Sequence, residues 1–220
     1  MSWGDENDNR SIDLKAKCLD FVAGSIFKDD KVFNDYFEFI DEESAGKWGR
    51  EFRDSFSLSK SELNSLYAYA GSWYRVLNMR LLKGEYGSKE SCELDADIDE
   101  IDAILRKTII DRNIVVYRVT SKKLLDFAFE DNFYINKSFW STSLLRKSAI
   151  RHSIKEGLFR YNRLVKIYIP AGKHVLYISD LGVENRTDWL REYEILIPRD
   201  TKFRIVKKHF LKRYIEIQMI

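Results

Sequence analysis

The period of the hydrophobic pattern changes near Asn113, and this change restricts the possible folds more than any other feature of the chain. Upstream, Leu63, Leu66, Tyr67, Ala70, Tyr74, Leu77 and Leu81 fall on one helical stripe, and Ile101, Ile104 and Leu105 on another, because residues three and four apart share a helix face. Downstream, short runs rich in β-branched and aromatic residues take over, and 114–118, 138–143, 164–169, 174–178, 193–197, 202–206 and 214–219 read as strands. Segments 124–129 and 148–156 read as short helices between them. Helices gathered first and strands later predict an α+β protein and argue against a repeating βαβ sheet. No glycine spacing of the Walker or Rossmann kind occurs, so the usual sequence marks of a nucleotide-binding parallel sheet are missing.

Local signals sharpen the helical half. Ser59 or Ser61 is placed to cap the long stripe, with Glu62 in its first turn, Gly71 as a kink and Gly84 as the stop. The second helix is expected from about 98 to 107, and the acidic stretch 95–100 suits its positive end. Residues 1–10 read as a frayed, disordered leader. Leu14, Leu19, Phe21, Val22, Ile26 and Phe27, then Val32, Phe33, Phe37 and Ile40, suggest two short amphipathic helices, with 41–46 as a linker beyond them. The expected division is a helical N-terminal segment over 1–50 and a main domain over 51–220.

With 220 residues, 45% of them hydrophobic, the chain has enough apolar side chains for one core. A net charge of +2 gives no electrostatic reason to expect nucleic acid or a membrane as partner. No apolar run is long enough to span a bilayer, and the polar, acidic start lacks the basic-then-apolar order of a secretory signal. A soluble chain that bypasses the general secretory route is expected. Cys18 and Cys92 lie far apart and read as free thiols, while His152, His174 and His209 are scattered, so no metal site is expected.

Three segments in the β-rich half carry polar residues on or beside strands. Arg118 closes an apolar run, Ser141, Thr142 and Ser143 follow two aromatics, and Glu192 and Glu194 sit two apart, on one face of an expected strand. Singly these are weak signals: a strand-end arginine is commonly a solvated cap, and hydroxyls are common on edge strands. Two glutamates on one face repel each other, which favours a paired-carboxylate site over a purely structural role.

Taken in order, the three segments resemble the Arg, Ser-Thr-Ser and Glu-x-Glu signature of arginine-specific mono-ADP-ribosyltransferase toxins of the bacterial exoenzyme type. The upstream helix is similar as well: Tyr69, Ala70, Gly71, Ser72, Trp73 and Tyr74, followed by Asn78, match the family's Tyr-Thr-Gly-Ser-x-Tyr…Asn pattern except at Ala70. Val119 also departs, standing where many members carry glycine. The resemblance covers residues 52–220. It implies the ADP-ribosyltransferase fold, two packed, mostly antiparallel β-sheets flanked by helices concentrated in the N-terminal half.

For function, the resemblance implies that NAD donates ADP-ribose to an arginine of a target protein. Glu194 would stabilise the cationic sugar, Ser141 would orient Glu194, and Arg118 would grip the dinucleotide pyrophosphate. Tyr74, Asn78, Thr142, Ser143 and Arg160 are the further NAD contacts expected, and Glu192, Trp189 and Leu190 the residues that meet the acceptor. No metal is called for. Partners would be NAD and a host or competitor protein, with a chaperone or inhibitor as a possible ligand of the N-terminal segment. Secretion by a specialised system, or a phage origin, with action in the cytosol of the target cell, completes the expectation. NAD hydrolysis, or a non-catalytic effector binding module, is the alternative, and the basic stretch 199–213 leaves nucleic acid as a third kind of acceptor.

Overall fold

Helices give way to strands where the period changes. The computed structural model describes residues 33–87, 92–121, 133–155, 162–181, 192–209 and 214–220. In chain order these form α1 (Glu42–Asp54), α2 (Lys60–Ala68), a π-helical turn (Tyr69–Trp73), α3 (Tyr74–Lys83) and α4 (Cys92–Lys107). There follow β1 (Ile114–Ser121), β2 (Phe133–Ile135), β3 (Trp140–Ser143), α5 (Arg146–Lys155), β4 (Asn162–Ile169), β5 (Leu176–Tyr177), β6 (Glu194–Ile197), β7 (Lys202–His209) and β8 (Tyr214–Met219). Segments 1–32 and 124–129, where further helices were expected, lie outside the described residues. None of the described helices is long and apolar enough to cross a membrane.

The caps act as the sequence implied. Ser59 accepts the Glu62 backbone N–H while Glu62 reaches back to the Ser59 N–H, a complete capping box. Gly84 ends α3 in the left-handed conformation, with φ 71°. Two expectations fail. The described part of the second N-terminal helix, 33–40, is not a regular helix, because the Phe37 backbone bonds to Asn113 O and Val115 N and makes a parallel bridge with Ile114. The expected linker 41–46 begins α1 instead: Asp41 caps Ser44 N at 2.7 Å, and Glu42 and Glu43 sit at the helix's positive end. α1 crosses the boundary drawn at residue 50, and its Ala45 and Phe52 pack in one cluster with Val116, Val165 and Ile195.

The strands run in the order β2-β7-β8-β4-β1-β3-β6-β5, and every pair is antiparallel except β4 with β8. Trp140 on β3 stacks on Phe203 on β7 with ring centroids 5.2 Å apart. These strands are four places apart, a distance of roughly 19 Å in a flat sheet. The sheet therefore folds over, so that β3-β6-β5 lies against β2-β7-β8-β4-β1. The two packed, mostly antiparallel layers that were expected are therefore present, as parts of one sheet continuous through β1 and β3, which share one register pair, Tyr117 with Ser143.

Both faces of the smaller layer are covered. Ile195, Ile197 and Tyr177 face the core between the layers, whereas Leu196 and Leu176 face a second cluster built from Leu66, Leu77, Ile98 and Ile101 of the helices. That explains the unbroken apolar run 195–197, since a strand buried on both sides has no polar face. Arg80, itself buried, grips Asp95 through Nε at 2.6 Å and Nη2 at 2.9 Å and fixes α3 against α4.

α1 approaches β5 closely because Gly49 has no side chain: a Cβ there would lie 2.4 Å from the Tyr177 ring. Gly49→Ala is therefore expected to lower unfolding free energy by about 2 kcal/mol in a urea titration. Gly71→Ala, whose Cβ meets nothing within 4 Å, should be neutral or slightly stabilising. Equal effects at the two sites would refute the close-packing account.

Candidate active site

Beyond Tyr117 and Ser143, β1 and β3 have no further register pairs, and the strands splay into a fork. Arg118 is the next residue on β1, and its side chain fills the fork: Nη1 donates to the Ser141 carbonyl, and the guanidinium lies 5.3 Å from the Trp140 ring centroid. Burial lowers its pKa from the ordinary value, and neighbouring tyrosines and Glu194 oppose that shift. Its Nε is buried without a hydrogen-bond partner.

The fork opens into a cleft of about 580 Å³, a size suited to a small-molecule ligand. Arg118, Ser141, Glu192 and Glu194 line it together. α3 supplies one wall through Tyr74, Asn78 and Met79, and α5 the other through Ser148, His152 and Ser153. The residues singled out from three distant segments thus converge. The π-helical turn precedes α3 directly, and its inserted residue resets the helix phase so that Tyr69 and Tyr74 both belong to the site region. Gly71, expected as a kink, lies within that turn.

The three hydroxyls of β3 divide their work. Thr142 Oγ1 donates to the Ile195 carbonyl at 2.8 Å, and Ser143 Oγ donates to the Glu192 carbonyl at 2.5 Å while accepting from Leu145 N at 3.1 Å. Both line the cleft, yet both spend their donors on pinning the glutamate segment to β3. Ser141 alone is hydrogen-bonded to the Glu194 carboxyl, and it also meets the Tyr69 phenol. Asn78 is likewise occupied: Nδ2 donates to Tyr69 OH at 3.2 Å and Oδ1 accepts from Phe139 N at 3.1 Å, tying α3 to the start of β3. Tyr74, one turn earlier on the same face, accepts from Arg75 Nε at 2.8 Å.

The two glutamates are not consecutive residues of one strand face, as alternation suggested. β6 starts at Glu194, and Tyr193 before it has φ 49°, a left-handed conformation costly for a residue with a Cβ. Tyr193 is held there by its buried ring, by Leu144 N on its carbonyl at 2.9 Å and by its phenol on Glu42 at 3.2 Å. The turn leaves both carboxylates lining the cleft. Burial, followed by the charge of Glu192, pushes Glu194 up to about 7, while Ser141, His152 and Arg118 pull it down.

His152 is the site residue that sequence reasoning missed. Its Nδ1 lies 2.8 Å from Glu192 Oε1, although forty residues separate the two. The only sequence signal was its place on one helix face with Ser148 and Ala149. Arg160, Trp189 and Leu190, also named from the sequence, lie outside the described residues.

A folded two-layer sheet with an arginine, a serine and two glutamates around one cleft defines the class of protein, and comparison with known proteins supplies the family. Residues 45–217 match the family of ADP-ribosyltransferase exoenzymes, and the chain belongs to it. NAD(+)-arginine ADP-ribosyltransferase EFV of Enterococcus faecalis is 25% identical over 148 residues, which are 67% of this chain and 29% of that protein. This chain thus spans less than a third of that curated relative. Plx2a, an ADP-ribosyltransferase toxin from Paenibacillus larvae, superposes with a TM-score of 0.64 at 22% identity, covering 84% of this chain and 98% of Plx2a. C3stau2 from Staphylococcus aureus, solved with NAD, gives 0.65 at 20% identity, covering 84% and 97%. At these identities the structures establish the fold, which is that of the ADP-ribosyltransferase toxins.

The raised Glu194 carboxyl has a thermodynamic signature. The folded chain binds its proton more tightly than an unfolded chain does, so the stability it contributes is complete below the ordinary glutamate range and is lost as pH rises towards about 7. Glu194→Gln should therefore gain on the natural protein by on the order of 2 kcal/mol between pH ~4.5 and pH ~8, in urea unfolding at both. A difference that stays constant with pH would show that this carboxyl is not held in a desolvated site.

Proposed function

We propose that this protein transfers ADP-ribose from NAD to an arginine of a target protein. The observation that carries the reading is that Arg118, Ser141, Glu192 and Glu194 all line one cleft, with Ser141 bonded to the Glu194 carboxyl. The chemistry to be done is cleavage of the bond between nicotinamide and ribose, through a transition state with oxocarbenium character. A fixed carboxylate beside that carbon stabilises positive charge only as the bond stretches, which is where catalysis needs it. Glu194 fills this role, bonded to a ribose hydroxyl, and Ser141 sets its direction.

Arg118 offers its planar fork to the pyrophosphate, and its buried, unpaired Nε is a donor that an anion would satisfy. Tyr74 and Asn78 on α3, with Thr142 and Ser143 on β3, form the surround of the dinucleotide, the last three mainly by holding the walls in place. Arg160 is assigned a second phosphate contact. The acceptor guanidinium meets Glu192, which pairs with it and takes its proton as the nitrogen attacks the ribose carbon and neutral nicotinamide leaves. Trp189 and Leu190, in the segment before the glutamates, are assigned to recognition of the target. The name of the E. faecalis relative, an NAD(+)-arginine enzyme, favours arginine as acceptor.

The catalytic unit, drawn from the sequence at 51–220, would also take in α1, whose Ala45 packs in its core, and the part of 1–50 before α1 would be an adjoining segment open to a chaperone or inhibitor. A toxin or effector delivered by a specialised route and acting on a host or competitor protein in the target cytosol fits this chemistry. Hydrolysis of NAD is the second reading: Glu194 and Arg118 would be equally necessary there, and Glu192 much less so.

The test is incubation with labelled NAD and a lysate or agmatine, following nicotinamide release and labelled acceptor separately. Glu194→Gln should lower both by about 10²–10³-fold. Glu192→Gln should abolish labelling while nicotinamide release falls by less than about tenfold. Arg118→Lys should raise the KM for NAD by about tenfold. Since the working form of Glu194 is the carboxylate, kcat/KM for NAD cleavage should climb with pH and level off above about 7. Absence of NAD cleavage by the natural protein would overturn the proposal and leave a binding module.

A further inference from the structure

α5 turns one face to the cleft, carrying Ser148, Ala149, His152 and Ser153, positions that helical spacing brings together. His152 is half-exposed on that face, and its Nδ1 lies 2.8 Å from Oε1 of the equally exposed Glu192. We propose that His152 is a positioning residue for Glu192 and sets how the ADP-ribosyl group is divided between a guanidinium acceptor and water. The proposal rests on the transferase reading and deepens it.

The argument begins with the freedom of a glutamate. Glu192 precedes a left-handed residue and a strand start, so its backbone is fixed: its carbonyl accepts Ser143 Oγ, and the next carbonyl accepts Leu144 N. Its side chain still has three rotatable bonds, and at the mouth of a cleft it would sample many directions. A donor on Oε1 selects one of them. The second carboxylate oxygen then remains for an acceptor guanidinium, which approaches from solvent.

Charge makes this arrangement sensitive to pH. Among the described residues, the titratable groups that line the cleft with His152 are Glu192 and Glu194 from the β6 segment, Arg118 and Tyr117 from β1 and Tyr74 and Arg75 from α3; the cleft residues of β3 are uncharged hydroxyls. On its own helix Lys147 and Arg151 turn to Glu42 of α1, at 2.9 and 4.0 Å. Neutral His152 with its proton on Nδ1 donates to Glu192 and adds no charge. Protonated His152 keeps that hydrogen bond but neutralises the carboxylate and places a second cation where a guanidinium must dock. Histidine is the side chain that makes this change between pH ~5 and pH ~8, whereas the guanidinium remains charged throughout.

Transfer and hydrolysis share the step in which nicotinamide leaves, so their ratio cancels the titration of Glu194. In transfer, a guanidinium nitrogen bonds to the ribose carbon and its proton passes to Glu192; in hydrolysis, water supplies the oxygen and releases the proton. Only the first branch needs Glu192 to receive a cation.

The experiment uses the full chain, saturating labelled NAD and agmatine, with the ratio of ADP-ribosyl-agmatine to ADP-ribose measured from pH ~5.5 to pH ~8.5. The natural protein should show a ratio that climbs roughly fivefold across this range. His152→Asn, which keeps a donor near Nδ1 but cannot titrate, should give a flat profile near the high-pH value. His152→Ala, without the donor, should be flat and about threefold lower. An Asn variant that keeps the natural slope, or an Ala variant whose ratio follows the natural one at every pH, would overturn the assignment while the transferase reading stands. No nicotinamide release from the natural protein would remove that reading, and this inference with it. A histidine that merely stabilised α5 would alter the yield of folded protein and leave the slope in place.

Discussion

The fork between β1 and β3 is the constraint on which the cleft depends. Had the backbone ladder continued past Tyr117 and Ser143, it would have closed the space where Arg118, Ser141 and Glu194 meet. Arg118 keeps that space open from within, because its Nη1 supplies the Ser141 carbonyl with the donor that a continuing strand would have offered. Trp140 lies beneath the guanidinium and also stacks on Phe203 of the opposite layer. One aromatic side chain thus joins the two layers and underlies the cation of the site. The position of the charge is consequently tied to the packing of the core.

Electrostatic strain in the cleft is the counterpart of that rigidity. Glu194 is desolvated and lies near a second carboxylate, which holds its carboxyl up at about 7. A protein selected for stability alone would have no reason to keep it there, nor to hold Tyr193 at φ 49° immediately before it. The surrounding structure supplies the compensation through hydroxyls and backbone amides fixed before any ligand arrives. Ser143 and Thr142 anchor the glutamate segment to β3, and Ser179 Oγ accepts the Glu194 N–H at 2.6 Å. Donors and carboxylates arranged in this way need little reorganisation when charge develops, which is the main electrostatic advantage an active site has over water.

Much of this was legible in the chain. The change of period at Asn113 separated helices from strands, the Ser59 and Glu62 pair marked a capped helix start, and the resemblance to ADP-ribosyltransferase toxins agrees with the family matched over residues 45–217. Other features were hidden for definite reasons. The start of α1 was read as a linker because 41–46 is acidic and small, and the helix buries Ala45, Gly46 and Gly49 beside Phe52, small residues of which Gly49 lets it approach Tyr177. The extended path of Phe37 depends on a bridge to Ile114, far along the chain, and its apolar spacing also fits a helix. Strand alternation placed Glu192 and Glu194 on one face for the wrong reason: a left-handed tyrosine, not a regular strand, sets their relation.

The change from helices to strands and the helix caps at Ser59 and Gly84 are local properties, set by side-chain period and by a few short-range hydrogen bonds, and for these the sequence was sufficient. The folding of one sheet into two layers, the fork held by Arg118, the use of Thr142, Ser143 and Asn78 as ties and the meeting of His152 with Glu192 were decided only in three dimensions. Each of these brings together groups far apart in the chain, and which of them meet depends on register and layer packing, which no local pattern encodes.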